Sequence, residues 1–273
     1  MVNRWFGVGQ FLSGVMGQLY PGGDNSAALA WLDREGNGRI HTVTRKVPRE
    51  MFMEEQKYLN LWNIAKGYID LNDEKLSNLD YLKMVLEKEL EIRARQKHTK
   101  LRKASKLPNK AFDASNLNKG LKWQIKQLSN LTWLKGEQNL ILLGKCGTGK
   151  TGLAVQLGET AISNGHKTYY APFDNFIAVA EKKATNPKAE AIFSYMQECD
   201  LIIIDDVFYV EPTRAELQVF YRAVTFLNET RSIIFITNRE LSTWIDAAED
   251  KHLCQTLLDR MTVNCQIVRL TDK

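Results

Sequence analysis

Five short apolar runs, at residues 140–143, 168–171, 201–204, 233–236 and 267–270, alternate with segments whose apolar residues return at helical spacing. Runs of that length, rich in Leu, Ile and Val, read as strands buried on both faces. The intervening segments predict helices at 150–164 (stopped by Gly165), 176–183, 188–196, 215–227 and 251–261. Thr213 and Glu216, three residues apart, form a capping box at the head of the fourth of these. Strand–helix alternation of this kind predicts an α/β fold: a five-stranded parallel sheet with helices on both faces.

Upstream, Ser77-Asn78-Leu79-Asp80 reads as a helix N-cap signal, and Leu79, Leu82, Val85, Leu86 and Leu90 follow at helical spacing. That helix is expected to carry an apolar stripe first and positive charge afterwards, and to end at Pro108-Asn109. Residues 51–68 are compatible with a further helix, whereas residues 1–50 are glycine-rich with little periodicity. There is no internal repeat.

Charge sharpens this picture. The 273 residues carry a net +5, but Arg93, Arg95, Lys97, Lys100, Arg102, Lys103, Lys106 and Lys110 put +8 into an 18-residue segment free of acids. The remainder therefore sums to −3. A long one-sign run lacks the alternating Glu–Lys pairs of a solvated helix face and is the electrostatic footprint of a polyanion partner. If four of the eight bind phosphates of double-stranded DNA, log K should fall against log salt with a slope of about −3.6.

Composition, 44% hydrophobic and 25% charged, is that of a globular protein and excludes collagen-like, low-complexity and wholly disordered classes. No membrane role is expected. The longest uncharged run, residues 5–23, holds Gln10, Ser13, Gln18 and six glycines, too broken for a bilayer span. Four cysteines (Cys146, Cys199, Cys254, Cys265) lack metal-ligand spacing and are too few for a disulfide scaffold, which suits a reducing cytoplasm.

The chemistry sits at the strand ends. After the first strand, Gly144-Lys145-Cys146-Gly147-Thr148-Gly149-Lys150-Thr151 has the G-x-x-x-x-G-K-T form of a phosphate loop in its strand–loop–helix context. Glycines let the backbone approach phosphate, and amides at a helix N-terminus make an anion nest. Gly144, Gly147, Thr148, Gly149, Lys150 and Thr151 are thus candidate ATP-binding residues. Lys150 would reach the β- and γ-phosphates, and the Thr151 hydroxyl would meet Mg²⁺. The pattern alone arises by chance in roughly one chain in a hundred of this length. Ile204-Asp205-Asp206 closes the third strand as a Walker B pattern, with Asp205 expected to hold Mg²⁺ and Asp206 to orient or deprotonate the attacking water. In the second role Asp206 is one methylene shorter than Glu. After the fourth strand, Asn238 would either sense the γ-phosphate or close a strand-end turn. Arg260, at the edge of the stripe Leu253, Leu257, Leu258 and Met261, is either a surface ion-pair residue or an arginine finger reaching a neighbour's ATP. Phe112 and Trp123 precede the core; core packing is the expected role of both, with base stacking the alternative.

The phosphate loop, Ile204-Asp205-Asp206, Thr237-Asn238, Trp244 and Leu257-Leu258-Asp259-Arg260-Met261 together resemble the IstB-like helper ATPases of bacterial insertion sequences, AAA+ proteins akin to the DnaC-type helicase loaders. The resemblance runs from about residue 76 to 270. It implies an AAA+ P-loop NTPase core preceded by a helical basic region, with Asn238 at the sensor 1 position and Arg260 as an arginine finger acting in trans. It also implies a homo-oligomer with ATP between subunits, binding to double-stranded DNA, and a transposase as partner. Two departures stand out. The chain stops at Thr271-Asp272-Lys273, earlier than family members usually do, and residues 28–52 resemble the C-terminal part of the partner transposase. Residues 1–56 are therefore expected to be a transposase remnant without a complete acidic triad, in which His41 is structural. Residues 57–112 would form the helical region and 113–273 the ATPase core. A DnaC-like helicase loader, a small-molecule P-loop kinase and an ATP-binding protein without turnover are the competing readings.

Overall fold

The computed structural model describes residues 78–270, apart from residues 116 and 137. The chain divides into two compact units, residues 1–92 and 93–273. Of the first, only residues from Asn78 onward are described, as the start of helix α1 (Asn78–Ser105). Ser77 of the N-cap signal, His41 and the transposase-like stretch lie outside the described residues. Leu90, expected in the apolar stripe, is 65% exposed; the other four stripe side chains are not described.

In the second unit, five parallel strands stand in the order β2-β3-β4-β1-β5: β1 (Asn139–Leu143), β2 (Thr168–Pro172), β3 (Leu201–Asp205), β4 (Ser232–Thr237) and β5 (Cys265–Arg269). The central strands β1, β3 and β4 are buried at every position, which is why their sequence shows no polar alternation. Their side chains still divide by the pleat. Leu140, Leu142, Leu201, Ile203, Ile234 and Ile236 enter one core, while Ile141, Ile202, Ile204, Ile233 and Phe235 enter the other. β5 is an edge strand and is only half-buried; it starts two residues before the apolar run and ends one residue earlier.

The first core is closed by the end of α1, α2 (Lys119–Leu128), the single turn α3 (Thr132–Lys135) and α4 (Lys150–Ser163). The second is closed by α5 (Phe173–Lys182), α6 (Pro187–Glu198), α7 (Arg214–Leu227), α8 (Leu241–Ala247) and α9 (Lys251–Thr262). The expected capping box is present: the Thr213 hydroxyl accepts from the Glu216 amide at 3.3 Å, and the Glu216 carboxylate accepts from the Thr213 amide at 2.8 Å. Gly165 stops α4 as expected. Its φ of +86° lets its amide reach the Ile162 carbonyl at 2.9 Å and the His166 amide reach that of Ala161 at 3.0 Å, a Schellman closure.

The basic helix ends earlier than Pro108. The Ser105 hydroxyl donates to the Arg102 carbonyl at 2.8 Å and accepts from the Leu107 amide at 3.3 Å, while Lys106 turns to φ +58°. Residues 107–112 then run back along α4 towards the phosphate loop. A Cβ at Gly158 would meet Leu107 at 3.1 Å, one at Gly152 the Ala111 carbonyl oxygen at 2.7 Å, and one at Gly149 the Phe112 ring at 3.3 Å. Missing Cβ atoms along α4 thus make the bed in which this strap lies.

Candidate functional site

The strand order brings the motifs together. β4 lies between β1 and β3, so the phosphate loop after Leu143, Asn238 after Thr237, and Asp205 leave the carboxyl edge from three adjacent strands. At about 4.8 Å per strand, the two Walker elements stand about 10 Å apart with Asn238 between them. This is the edge of an open α/β sheet where ligands bind.

The loop's shape depends on its glycines for different reasons. A Cβ at Gly144 would collide with the Leu270 carbonyl oxygen just past β5, so close approach excludes any other residue. Gly147 has φ +88° and open space where its Cβ would be, so there the constraint is backbone conformation. Gly149, at φ +90°, is the N-cap of α4. Lys150 is 7% exposed, and its Nζ donates to the Gly144 and Lys145 carbonyls, both at 2.7 Å. The Thr148 hydroxyl donates to the Lys145 carbonyl at 2.9 Å, and Thr151 opens the helix half-buried.

Asp205 is 3% exposed. One carboxylate oxygen accepts from the Asp206 amide and the other from the Tyr170 hydroxyl, both at 2.8 Å. Tyr170 comes from β2, and its phenol is held protonated, first by burial and then by the adjacent carboxylate. It is the residue that sequence reasoning missed. A tyrosine in an apolar strand run needs a polar partner, and that need was the available signal. Asp206 has φ +55° and is exposed. Burial, then Asp205, raises its carboxyl above the ordinary range, against the lowering pull of Lys110 and Lys150. Lys110 therefore stands by the second aspartate, at the end of the strap. The turn after Asp206 is pinned by Phe208 (φ +56°), whose ring packs 4.3 Å from that of buried Trp244 and edge-on to Phe173. Trp244 holds the Walker B turn from beneath.

Arg260 lies elsewhere. The next residue's carbonyl, that of Met261, accepts from Asn139 at the beginning of β1, and its own carbonyl accepts from Asn228 ahead of β4. Arg260 thus sits at the amino edge of the sheet, exposed, a strand length of about 16 Å from its own phosphate loop. Exposed Val263 follows it three residues on, and exposed Phe226 lies two residues before Asn228.

The basic segment separates into different roles. Arg102, one of the eight cations expected to contact DNA, makes contacts within the fold. Its guanidinium pairs with Glu159 of α4 and donates to the Leu107 carbonyl at 2.7 Å and the Asn109 side chain at 3.0 Å. It faces the core because it shares a helix face with Leu101 and Ser105. Arg93, Arg95, Lys97, Lys100, Lys103 and Lys106 are exposed; Lys100 and Lys103 point away from the core face, and Lys97 lies against Gly165. Phe112 packs as expected, while Trp123 does not: it is 66% exposed. No helix among the described residues is long and apolar enough to cross a membrane.

A family model described as IstB-like ATP binding protein matches residues 57–273. The chain belongs to the IstB-like ATP-binding protein family. Within it, an IS21-like insertion-sequence ATP-binding protein of Bacteroides fragilis is 26% identical over 230 residues, 81% of this chain and 88% of that one. The IS21 ATP-binding protein of Pseudomonas aeruginosa is 31% identical over 137 residues, 50% of this chain and 52% of its own. The crystal structure of DnaI matches with a TM-score of 0.52 at 13% identity, covering 62% of this chain and 94% of that chain, which is a likeness of fold. This chain is thus an IstB-like ATP-binding protein, and the open space where a Cβ at Gly147 would stand leaves room for a phosphate group.

Proposed function

We propose that this IstB-like protein hydrolyses ATP at a composite site between subunits, binds double-stranded DNA through α1, and assists the transposase of an insertion sequence. The observation that carries the reading is the opposition of Lys150, Asp205 and Asn238 at one sheet edge to Arg260 at the other. An arginine a strand length from its own loop cannot serve that loop, but it can serve a neighbour's.

Lys150 would exchange its two carbonyl partners for phosphate oxygens, since charge-assisted bonds are the stronger. Thr151 and Asp205 would hold Mg²⁺, an oxygen-seeking ion suited to a hydroxyl and a carboxylate, which supplies charge neutralisation when bound. Tyr170 fixes the rotamer of Asp205. Asp206 orients the attacking water and takes up its proton. The water oxygen bonds to the γ-phosphorus while the bond to the β–γ bridging oxygen breaks, leaving ADP and phosphate. Asn238 donates to the γ-phosphoryl group, and Arg260 of the adjoining subunit stabilises the developing charge, a contribution of about 10³–10⁵ in rate.

ATP turnover measured across protein concentration, with and without duplex DNA, tests this. Turnover per subunit should rise with concentration and with DNA. Arg260→Ala and Asp206→Ala should each be inactive alone and regain activity when mixed, because one mixed interface keeps both groups. No recovery on mixing would reject the shared site, and DNA-independent turnover would reject the coupling.

A further inference from the structure

Helix α2 presents a surface that the nucleotide site does not use. Lys119, Lys122, Trp123 and Lys126 fall within one 100° arc of it, and all four are exposed. The opposite face, Leu121, Ile125 and Leu128, is buried in the core, and Asn118 caps the helix by accepting from the Leu121 amide at 2.8 Å. The stripe is therefore held on a rigid element. From Ala114 to Gly136 the sequence has four lysines and no acid. Lys122 donates to the Ser115 carbonyl at 2.9 Å and is close enough to Asp113 to stabilise its charge, so the positive excess of the stripe rests chiefly on Lys119 and Lys126.

We propose that this stripe binds unpaired nucleotides, with Trp123 stacking on a base while Lys119 and Lys126, about 10 Å apart along the helix, hold the flanking phosphates. The proposal deepens the DNA-binding reading above and rests on it only in taking nucleic acid as the polyanion. Three considerations select this occupant. A positive stripe complements a phosphate chain, and an indole offers a flat face that any base can stack on. A duplex hides its base faces, so an exposed tryptophan on this stripe has nothing to stack on until strands separate. A membrane surface would need an apolar helix face to insert, and the apolar face of α2 is already spent inside the fold.

The test uses the full chain without ATP, titrated onto a labelled thymidine 20-mer and onto a 20-base-pair duplex between 50 and 200 mM salt. Trp123→Ala should lose about 5- to 140-fold in affinity for the single strand, the range set by one base–aromatic stack, and change duplex affinity less than twofold. Trp123→Phe should keep most of the binding but abolish the indole fluorescence quenching that accompanies it. Replacing Lys119 and Lys126 with Gln should make the single-strand salt slope less steep by about 1.4. Unchanged single-strand affinity in Trp123→Ala, equal losses on both DNAs, or no binding of the 20-mer by the native chain would each overturn the proposal. A shift in subunit assembly without a loss on the single strand would overturn it too, placing Trp123 at a different contact. Because every arm is read without nucleotide, failed ATP turnover leaves these outcomes distinct.

Discussion

Arg102→Ala separates a fold-holding cation from a ligand-holding one inside a single basic run. The guanidinium makes two good hydrogen bonds, to the Leu107 carbonyl at 2.7 Å and the Asn109 side chain at 3.0 Å, and an ion pair with Glu159. Bonds from a charged donor contribute about 1.5–3 kcal/mol each where shielded. With the Arg102 side chain a quarter exposed, about 1 kcal/mol each is the fairer value. The partly exposed ion pair adds about 0.5 kcal/mol, for a loss of about 2.5 kcal/mol. For a unit of this size that is a fall in melting temperature of about 5–10 °C. Lys103→Ala, one residue on and facing outward, should change stability by less than about 0.5 kcal/mol but make the duplex salt slope less steep by about 0.9. Thermal unfolding and salt-dependent DNA binding of both variants form the assay. If Arg102→Ala melts within a degree of the native chain while flattening the salt slope, the assignment of Arg102 to the strap is wrong.

Three further outcomes follow from the site. Tyr170→Phe removes the hydroxyl that orients Asp205 and should raise the Mg²⁺ concentration for half-maximal turnover about tenfold, as loss of an outer-sphere partner does, leaving the rate at saturating Mg²⁺ little changed; an unaltered Mg²⁺ requirement would remove Tyr170 from the site. In Asp206→Asn, ATP binding should persist without hydrolysis. The folded state raises the Asp206 pKa, so stability from this group is full at low pH and is lost as the pH rises through that pKa. At neutral pH the neutral side chain should therefore raise the nucleotide-free melting temperature, and a fall would contradict the sign. Gly152→Ala gains about 1 kcal/mol of helix propensity but drives a methyl into the Ala111 carbonyl oxygen, 2.7 Å away, at a cost of about 1–3 kcal/mol; a more stable variant in urea unfolding would show that the strap yields freely.

What the sequence disclosed and what it hid divide along physical lines. The strands and the helices from α4 onward except α8 were legible, because four-residue apolar runs and 3.6-residue spacing report burial directly. The strand–loop–helix setting of Gly144–Thr151 and the strand-end place of Asp205 were legible because a buried apolar run ends at each. Tyr170 was not, since its partner is 35 residues away and the pairing exists only once β2 lies beside β3. The partners of Arg102 within the fold were not legible, because a charge run shows sign but not which helix face each cation occupies. The end of α1 at Ser105 was misplaced because a serine hydroxyl closing the last turn competes with the more conspicuous Pro108 as a stop signal.

The strap joins these features into one physical path. Arg102 fastens the basic helix to Glu159 on α4. Leu107, Ala111 and Phe112 then lie over Gly158, Gly152 and Gly149, successively nearer the phosphate loop, and Lys110 reaches the field of Asp206. Close packing transmits displacement, because a core at native density has no slack to absorb it. If the proposed polyanion binds along Lys100 and Lys103, it would pull on a helix whose far end is locked to the helix that carries Lys150. The two sites are coupled only if that contact has two arrangements with different affinities for nucleotide. The three glycines bear on this point, since bulkier residues at 149, 152 and 158 would lift the strap away from α4 and leave the basic helix with nothing to act upon.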